Sequence, residues 1–263
     1  MTDWLSVCRA AVGDVERVLE ELPTRVEREP VVGAGLGGDD TTAIDKAAED
    51  AIVARFRDLD VTIVSEEVGR LGDGATVVVV DPIDGSINAK RGIPFFSISI
   101  AVAEGETMDD VFLGFVHDFG SGEEWVGRRG EGAWLNGAPI GALRPKETID
   151  LLFFEATRTE LIARDAPTMV GLAGRLRVMG SLALSLCHLA AGRADGVVSL
   201  KGARSVDIAA AQLLVREVGS AIDLFDVDTP FGAAPLDLEG RSRVAAAATP
   251  ELVQRLAAAL SSA

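Results

Sequence analysis

The sequence predicts a mixed α+β and α/β protein built in two halves, and three observations carry that reading. Apolar, β-branched runs at 61–65 and 76–80 are bounded by Gly and Asp, as buried strands are. Apolar residues recur at helical spacing over 3–22 and 42–57. After about residue 145, short strand patterns alternate with helical ones, the signature of an α/β unit. The chain has 263 residues, 48% of them hydrophobic and 25% charged. It can therefore bury roughly 70–75% of the surface its unfolded form exposes, which excludes disorder as its general state.

In order along the chain, the helix at 3–22 buries Trp4, Leu5, Cys8, Val12, Val15 and Leu19, and Pro23 and Pro30 then bracket a charged connector. Residues 33–40 form a glycine-rich loop ending in two acids. The helix at 42–57 buries Ile44, Ala48, Ile52 and Phe56. Neighbouring strands are expected at 96–103 and 111–119, joined through Glu104-Gly105-Glu106, and hairpins over the glycine-punctuated stretch 125–140. The second half reads as a strand at 151–155, a segment at 176–179, a helix at 182–191, a strand at 196–200, a helix at 206–218, a strand at 221–225 and a helix at 250–260. No internal repeat or flexible linker separates 1–145 from 146–263, so the halves are expected to share a large interface.

Charge narrows the function. Lys+Arg number 25 and Asp+Glu 41, a formal net charge of −16, which disfavours nonspecific binding to nucleic acid or anionic lipid. An anionic substrate requires a local cation cluster or a bound metal. Two cysteines, Cys8 and Cys187, suit a reducing cytoplasm rather than a disulfide framework. The start Met1-Thr2-Asp3-Trp4 has no leader character, and no apolar run nears the roughly 20 residues of a membrane span. The basic residues are 21 Arg and only 4 Lys; salt adaptation and G+C-rich coding both account for that bias.

The strongest chemical signal is Val77-Val78-Val79-Val80-Asp81-Pro82-Ile83-Asp84-Gly85-Ser86. A strand ends in Asp81, and a Pro/Gly turn returns Asp84 to the same spot. Two such carboxylates repel in a partly buried site, and a hard divalent cation such as Mg²⁺ relieves them; the Ile83 carbonyl could add an oxygen. As a plain turn the segment would need no metal. Ser65-Glu66-Glu67 ends another strand fifteen residues earlier, so adjacent strands would set Glu66 beside Asp81. Asp207 opens a helix after Lys201-Gly202-Ala203-Arg204, either as an N-terminal cap or as a pocket residue. Asp39, Asp40 and Asp45 lead into the second helix. Gly33-Ala34-Gly35-Leu36-Gly37-Gly38 fits a dinucleotide fingerprint, but its strand shrinks to Val31-Val32 and its acids would face a pyrophosphate, so that reading is rejected. His188 lies in an apolar helix as a core residue, and His117 has no ligand-spaced partner.

In order, Ser65-Glu66-Glu67, Asp81-Pro82-Ile83-Asp84-Gly85-Ser86-Ile87-Asn88, Gly130-Glu131-Gly132-Ala133-Trp134-Leu135-Asn136-Gly137, Arg177 with Gly180-Ser181, and Val206-Asp207-Ile208-Ala209-Ala210 resemble the motifs of the inositol monophosphatase family, including its archaeal members that also act as fructose-1,6-bisphosphatases. The resemblance spans nearly the whole chain. It implies a layered α-β-α-β-α sandwich of the sugar-phosphatase type, usually a homodimer, using two to three Mg²⁺ ions, with Mn²⁺ a possible substitute. Carried over by position, it implies one ion on Glu66, Asp81 and the Ile83 carbonyl, a second on Asp81, Asp84 and Asp207, and a weaker third on Glu66 with Asp39 or Asp40. Glu66 and an Asp45–Ser86 pair would orient the attacking water. Phosphate would rest on Asp84, Gly85 and Ser86, with Gly180, Ser181, Arg177, Lys201 and Arg204 toward the sugar or a second phosphate. Val206 replaces the family Trp, and Leu200 stands near the acid that binds inositol in animal enzymes, which argues against strict inositol preference. Within the family a 3′(2′),5′-bisphosphate nucleotide is the alternative substrate. A binding module without catalysis, as in bacterial relatives that act with RNA polymerase, is the alternative of another class.

Overall fold

The computed structural model describes residues 2–35, 40–142, 146–156 and 158–261. Helices α1 (Trp4–Glu21) and α2 (Arg25–Arg28) precede a two-stranded ribbon, β1 (Val31–Ala34) with β2 (Asp40–Thr42). Helix α3 (Ala43–Phe56) follows, then β3 (Val61–Ser65), β4 (Gly69–Leu71), β5 (Thr76–Asp84) and the short α4 (Ser86–Arg91). Strands β6 (Ser97–Ala103), β7 (Val111–Asp118), β8 (Glu124–Arg128), β9 (Gly132–Leu135) and β10 (Ala138–Ile140) complete an eight-stranded sheet of order β10-β9-β8-β7-β6-β5-β3-β4. All its pairings are antiparallel except β3 with β5.

The rest of the chain is β11 (Ile149–Glu155), α5 (Thr159–Asp165), β12 (Ala173–Arg177), α6 (Leu182–Ala190), β13 (Gly196–Ser199), α7 (Ser205–Glu217), β14 (Ala221–Leu224), β15 (Val244–Ala247) and α8 (Pro250–Ser261). Its five-stranded sheet has the order β12-β11-β13-β15-β14, parallel from β12 to β13 and antiparallel beyond.

Five layers result, as the sequence led one to expect. Alternation along β5 shows how they stack: Val78 and Val80 join Cys8, Val15, Ile44 and Phe56 of α1 and α3. Val77 and Val79 point the other way, toward Leu184 and Leu186 of α6 and Leu213 and Leu214 of α7. Buried on both faces, the strand reads as an unbroken apolar run. The far side of α6 and α7 meets Phe153, Val197 and Ala246 of the second sheet, whose outer face packs Leu152, Phe154, Val198 and Ala245 on Leu252, Leu256 and Leu260 of α8. Helix α7 lies so close to β7 that a Cβ on Gly114 would run into the Ala210 carbonyl. Only Gly permits that close approach.

Several elements differ from expectation. The ends of the supposed loop at 33–40 pair instead, Val31 with Thr42 and Ala34 with Asp40, since Val31, Val32, Thr41 and Thr42 favour extended backbone; residues 36–39 lie outside the described residues. The charged connector holds α2, started by a Thr24/Glu27 capping box. Strand β12 begins three residues before the segment expected at 176. Strand β15, Val244-Ala245-Ala246-Ala247, was not expected, because alanine has weak strand propensity. It is fully buried between β13 and β14, where small side chains fit between two helical layers. No helix among the described residues is long and apolar enough to cross a membrane.

Candidate active site

The carboxyl ends of β3, β5, β11 and β13 and the amino ends of α3, α4, α6 and α7 meet at one place. The parallel register of β3 on β5 runs from Val61 opposite Thr76 to Ser65 opposite Val80, so Glu66, just past the end of β3, comes beside Asp81 of β5. Where the β5–β6 register shifts, between Asp81 and Asp84, the Asp81 carboxylate accepts the Ile83 N–H at 3.0 Å. Gly85 takes a left-handed φ of 90°, which Gly adopts without strain; this turn returns Asp84 and starts α4. The α7 N-terminus brings Arg204 and Asp207 from the other half of the chain.

A cavity of about 500 Å³ opens there, lined by Asp40, Asp45, Glu66, Glu67, Asp81, Ile83, Asp84, Gly85, Ser86, Ile87, Lys90, Arg158, Leu161, Gly180, Lys201, Arg204 and Asp207. A smaller annex of about 120 Å³ adds Glu155, Ala156, Leu182, Ser199, Gly202 and Ala203. The cavity thus gathers Glu66, Asp81, Ile83, Asp84, Asp207, Asp40, Asp45, Gly85, Ser86, Gly180, Lys201 and Arg204 from the residues singled out in the sequence. Ser181 stands behind it, fully buried, and donates its hydroxyl to Asp84 Oδ2. Arg177 is not brought in. It is exposed on the edge strand β12, with its guanidinium bonded to the neighbouring Leu176 carbonyl at 2.9 Å. Leu200 is buried in the core under α8. Asp39 lies outside the described residues.

The pairings depart from expectation in two ways. Asp45 bonds to Thr42 Oγ1 at 2.5 Å and to the Thr42 N–H at 3.2 Å, and lies 3.0 Å from Lys90 Nζ; among the described residues its bonds do not reach Ser86. The capping box at Thr42 takes it instead. Arg204 turns inward rather than toward a distant sugar. Only 5% exposed, its Nη2 lies 2.7 Å from Glu66 Oε1 and 3.5 Å from Asp207 Oδ1, and Asp207 also accepts the Arg204 N–H at 2.6 Å.

Electrostatics mark the site. Burial pushes the Asp84 carboxyl up to about 7 against the pull of the Ser181 hydroxyl. Burial does the same to Glu66, up to about 7, with Arg204 opposing and Asp207 adding repulsion. Asp81 rises well above the carboxylate range through burial and then through Asp84 and Glu66. Burial disfavours the Arg204 charge, yet Asp207 and Glu66 more than offset it and the guanidinium is held protonated more firmly than usual. Perturbed carboxylates crowded on a cavity are a functional signature.

Among the described residues, no three His, Cys, Asp or Glu side chains converge at metal-ligating geometry. Asp84 Oδ2 is taken by Ser181 and by the Ala183 N–H at 2.8 Å, and Arg204 engages Glu66 and Asp207. Glu66, Asp81, Asp84 and Asp207 thus share one cavity wall. Its chemistry fits a hard divalent cation nonetheless: carboxylate and carbonyl oxygens are the donors such ions take, and the raised carboxyls carry repulsion that Arg204 leaves uncancelled.

Of the lining residues, Lys90 and Arg158 are not singled out by the sequence, and Glu67 is quoted there only within its motif, with no role. Lys90 follows Ser86 by four residues on α4, a same-face spacing that was there to read, and Glu67 adjoins Glu66. Arg158 had no local signal. His188 is half-buried rather than fully in the core, with Phe95, Trp125 and Phe153 ring centroids 5.7–5.9 Å away and its Nδ1 3.4 Å from Arg193 Nη1.

Comparison with known proteins finds relatives along nearly the whole chain. The model of the inositol monophosphatase family matches residues 4–263. An Archaeoglobus fulgidus protein named fructose-1,6-bisphosphatase/inositol-1-monophosphatase is 31% identical over 250 residues, 93% of each chain. A Pasteurella multocida protein named Nus factor SuhB is 37% identical over 195 residues, 70% of this chain and 71% of that one. A solved Pyrococcus horikoshii structure, titled as a hypothetical protein with similarities for inositol-1 monophosphatase, superposes with a TM-score of 0.80 at 28% identity over 97% of both chains. The chain belongs to the inositol monophosphatase family.

Proposed function

We propose that the chain hydrolyses phosphate monoesters with Mg²⁺, taking inositol-1-phosphate, fructose-1,6-bisphosphate or both. One observation carries the reading: Glu66, Asp81, Asp84 and Asp207, from both halves of the chain, share one 500 Å³ cavity with Ser86 and Lys201. A protein of charge −16 needs a local reversal of field to admit a phosphate dianion. Glu66, Asp81 and the Ile83 carbonyl would hold one ion, and Asp81, Asp84 and Asp207 a second; Asp40, which lines the same cavity, would join Glu66 in holding a third. When bound, such ions supply charge neutralisation and a water of lowered pKa.

The chain's own groups do the rest. Gly85 and Ser86 present backbone N–H groups at the start of α4 to phosphate oxygens. Glu66, on the cavity wall, would orient the attacking water and accept its proton. Lys90 adds positive charge on the wall and holds Asp45. Lys201 and Arg158 offer cations to a second anionic group, and Leu200 brings no carboxylate to the end of β13, which supports tolerance of phosphorylated sugars beyond inositol. The reading extends to a cytoplasmic, salt-tolerant homodimer; a single 27.5 kDa species in sedimentation would remove the dimer.

The test is phosphate release from inositol-1-phosphate, fructose-1,6-bisphosphate and a 3′-phosphonucleotide, with Mg²⁺ or EDTA, at low and high salt. Mg²⁺-dependent release from either of the first two is expected. Preference for the nucleotide would move the substrate, and no release at all would favour the binding role that the SuhB-named relative suggests.

The raised carboxyls also set a pH dependence. Glu66 and Asp84 sit near 7 when folded, above their ordinary values of 4.5 and 3.8. A folded pKa raised in this way contributes stability that is full below the unfolded pKa and lost as pH rises through the folded one. In EDTA, the melting temperature should fall between about pH 4.5 and 8. Mg²⁺ should restore it most at pH 8, by at least about 4 °C, and hardly at pH 5. Equal Mg²⁺ shifts at both pH values would refute this account.

A further inference from the structure

Glu155 ends β11 and is 5% exposed, yet it faces no cation among its described contacts. Its carboxylate instead accepts the Gly180 N–H at 2.8 Å, the Met179 N–H at 3.4 Å and the Ser185 hydroxyl at 2.7 Å. The same turn is held from the other side, where Asn88 Nδ2 donates to the Met179 carbonyl at 2.8 Å. Gly180 itself takes a left-handed φ of 90°, so this short turn is fixed at both ends and through its backbone. It delivers Ser181, whose hydroxyl donates to Asp84 Oδ2 while accepting the Leu184 N–H at 3.2 Å. The Ala183 N–H then reaches the same Oδ2. An aspartate of the eight-stranded sheet is thus oriented by a glutamate of the five-stranded one.

We infer that Glu155 is a positioning residue for Asp84: it fixes the Met179–Ser181 turn and, through the Ser181 hydroxyl, commits one Asp84 oxygen to the protein, reserving the other for the cation. The inference rests on reading Asp84 as a cation ligand. Groups that orient a ligand from behind typically alter metal affinity by about ten- to hundredfold when removed.

The test is calorimetric titration of the whole protein with Mn²⁺, without substrate. Glu155→Met keeps similar bulk but offers no acceptors, and is expected to weaken Mn²⁺ about ten- to hundredfold; Ser181→Ala should do much the same. Combining them should cost no more than the larger single effect, because both act along one path. Glu155→Gln retains an oxygen for the Gly180 N–H and should recover most of the affinity. Parental affinity in Glu155→Met, or losses that simply multiply in the double variant, would overturn the proposal, since a purely architectural glutamate lowers the melting temperature without touching Mn²⁺. If Glu155→Met does not fold, Glu155→Asp, which withdraws the carboxylate by one methylene, carries the same cycle. Parental protein that takes up no Mn²⁺ would remove the ligand reading beneath the proposal, and the proposal with it.

Discussion

Asp84→Asn should lower Mg²⁺-dependent phosphate release by about a thousandfold or more while leaving the fold intact. The magnitude follows from the several kcal/mol that a metal ion lends to transition-state charge and from a tenfold rate change per roughly 1.4 kcal/mol. The fold is spared because the bonds to this side chain among the described residues, from Ser181 and Ala183, end on one oxygen, and the asparagine carbonyl accepts both. Electrostatics make the prediction sharper. Burial holds the Asp84 carboxyl near 7, so at pH 8 the folded, cation-free protein carries an ionised group it would rather keep neutral. Asparagine removes that burden. In EDTA at pH 8 the variant should melt at or above the temperature of the parent, and Mg²⁺ should raise it far less. A variant that is less stable in EDTA and still gains the full Mg²⁺ shift would place the ion elsewhere, and one with parental turnover would end the assignment.

The parts of this site that could be read from sequence are those whose geometry is local or is set by strand order. Glu66 and Asp81 each follow an apolar strand, and parallel pairing of β3 with β5 makes them neighbours with no further information. Asp84 follows from the Pro82/Gly85 turn, and Asp207 from its place at a helix start. What escaped depends on burial or on distant pairing. Arg204 reads as a basic residue available to substrate, and only its enclosure among acids turns it inward. Asp45 lies in Thr42-Ala43-Ile44-Asp45, a capping-box spacing whose local bond outcompetes the expected partner Ser86. Arg177 keeps the spacing of the family's segment, yet β12 is an edge strand and leaves it in solvent. Glu155 looks like the end of an ordinary strand, because its partners lie 24–30 residues away and no local pattern names them. The alanines of β15 are legible only once two helical layers demand small side chains between them.

Arg204→Met separates the electrostatic role of this guanidinium from its bulk, and the expected effect is large. Removing one partner of a buried ion pair costs about 3–5 kcal/mol, chiefly because the other charge remains buried and unpaired. Here the loss falls on Glu66 and Asp207, at 2.7 and 3.5 Å from Nη2, with Asp81 also within the field of the guanidinium. At pH 8 in EDTA the variant should therefore melt well below the parent. At pH 5 much of that loss should disappear, since Glu66, near 7 even with the guanidinium present, rises further without it and is neutral there. Mg²⁺ offers a second route to the same relief, so saturating Mg²⁺ at pH 8 should return most of the lost melting temperature. It should also bind the variant more tightly than the parent, because Glu66 no longer has to exchange a guanidinium for the ion. Arg204→Lys separates charge from shape. A lysine keeps the positive charge but not the planar fork that meets two carboxylates at once, so it should recover part of the EDTA stability and bind Mg²⁺ between parent and methionine variant. If Mg²⁺ and acid both fail to rescue Arg204→Met, the side chain serves packing, and the cavity wall is not held together by its charges.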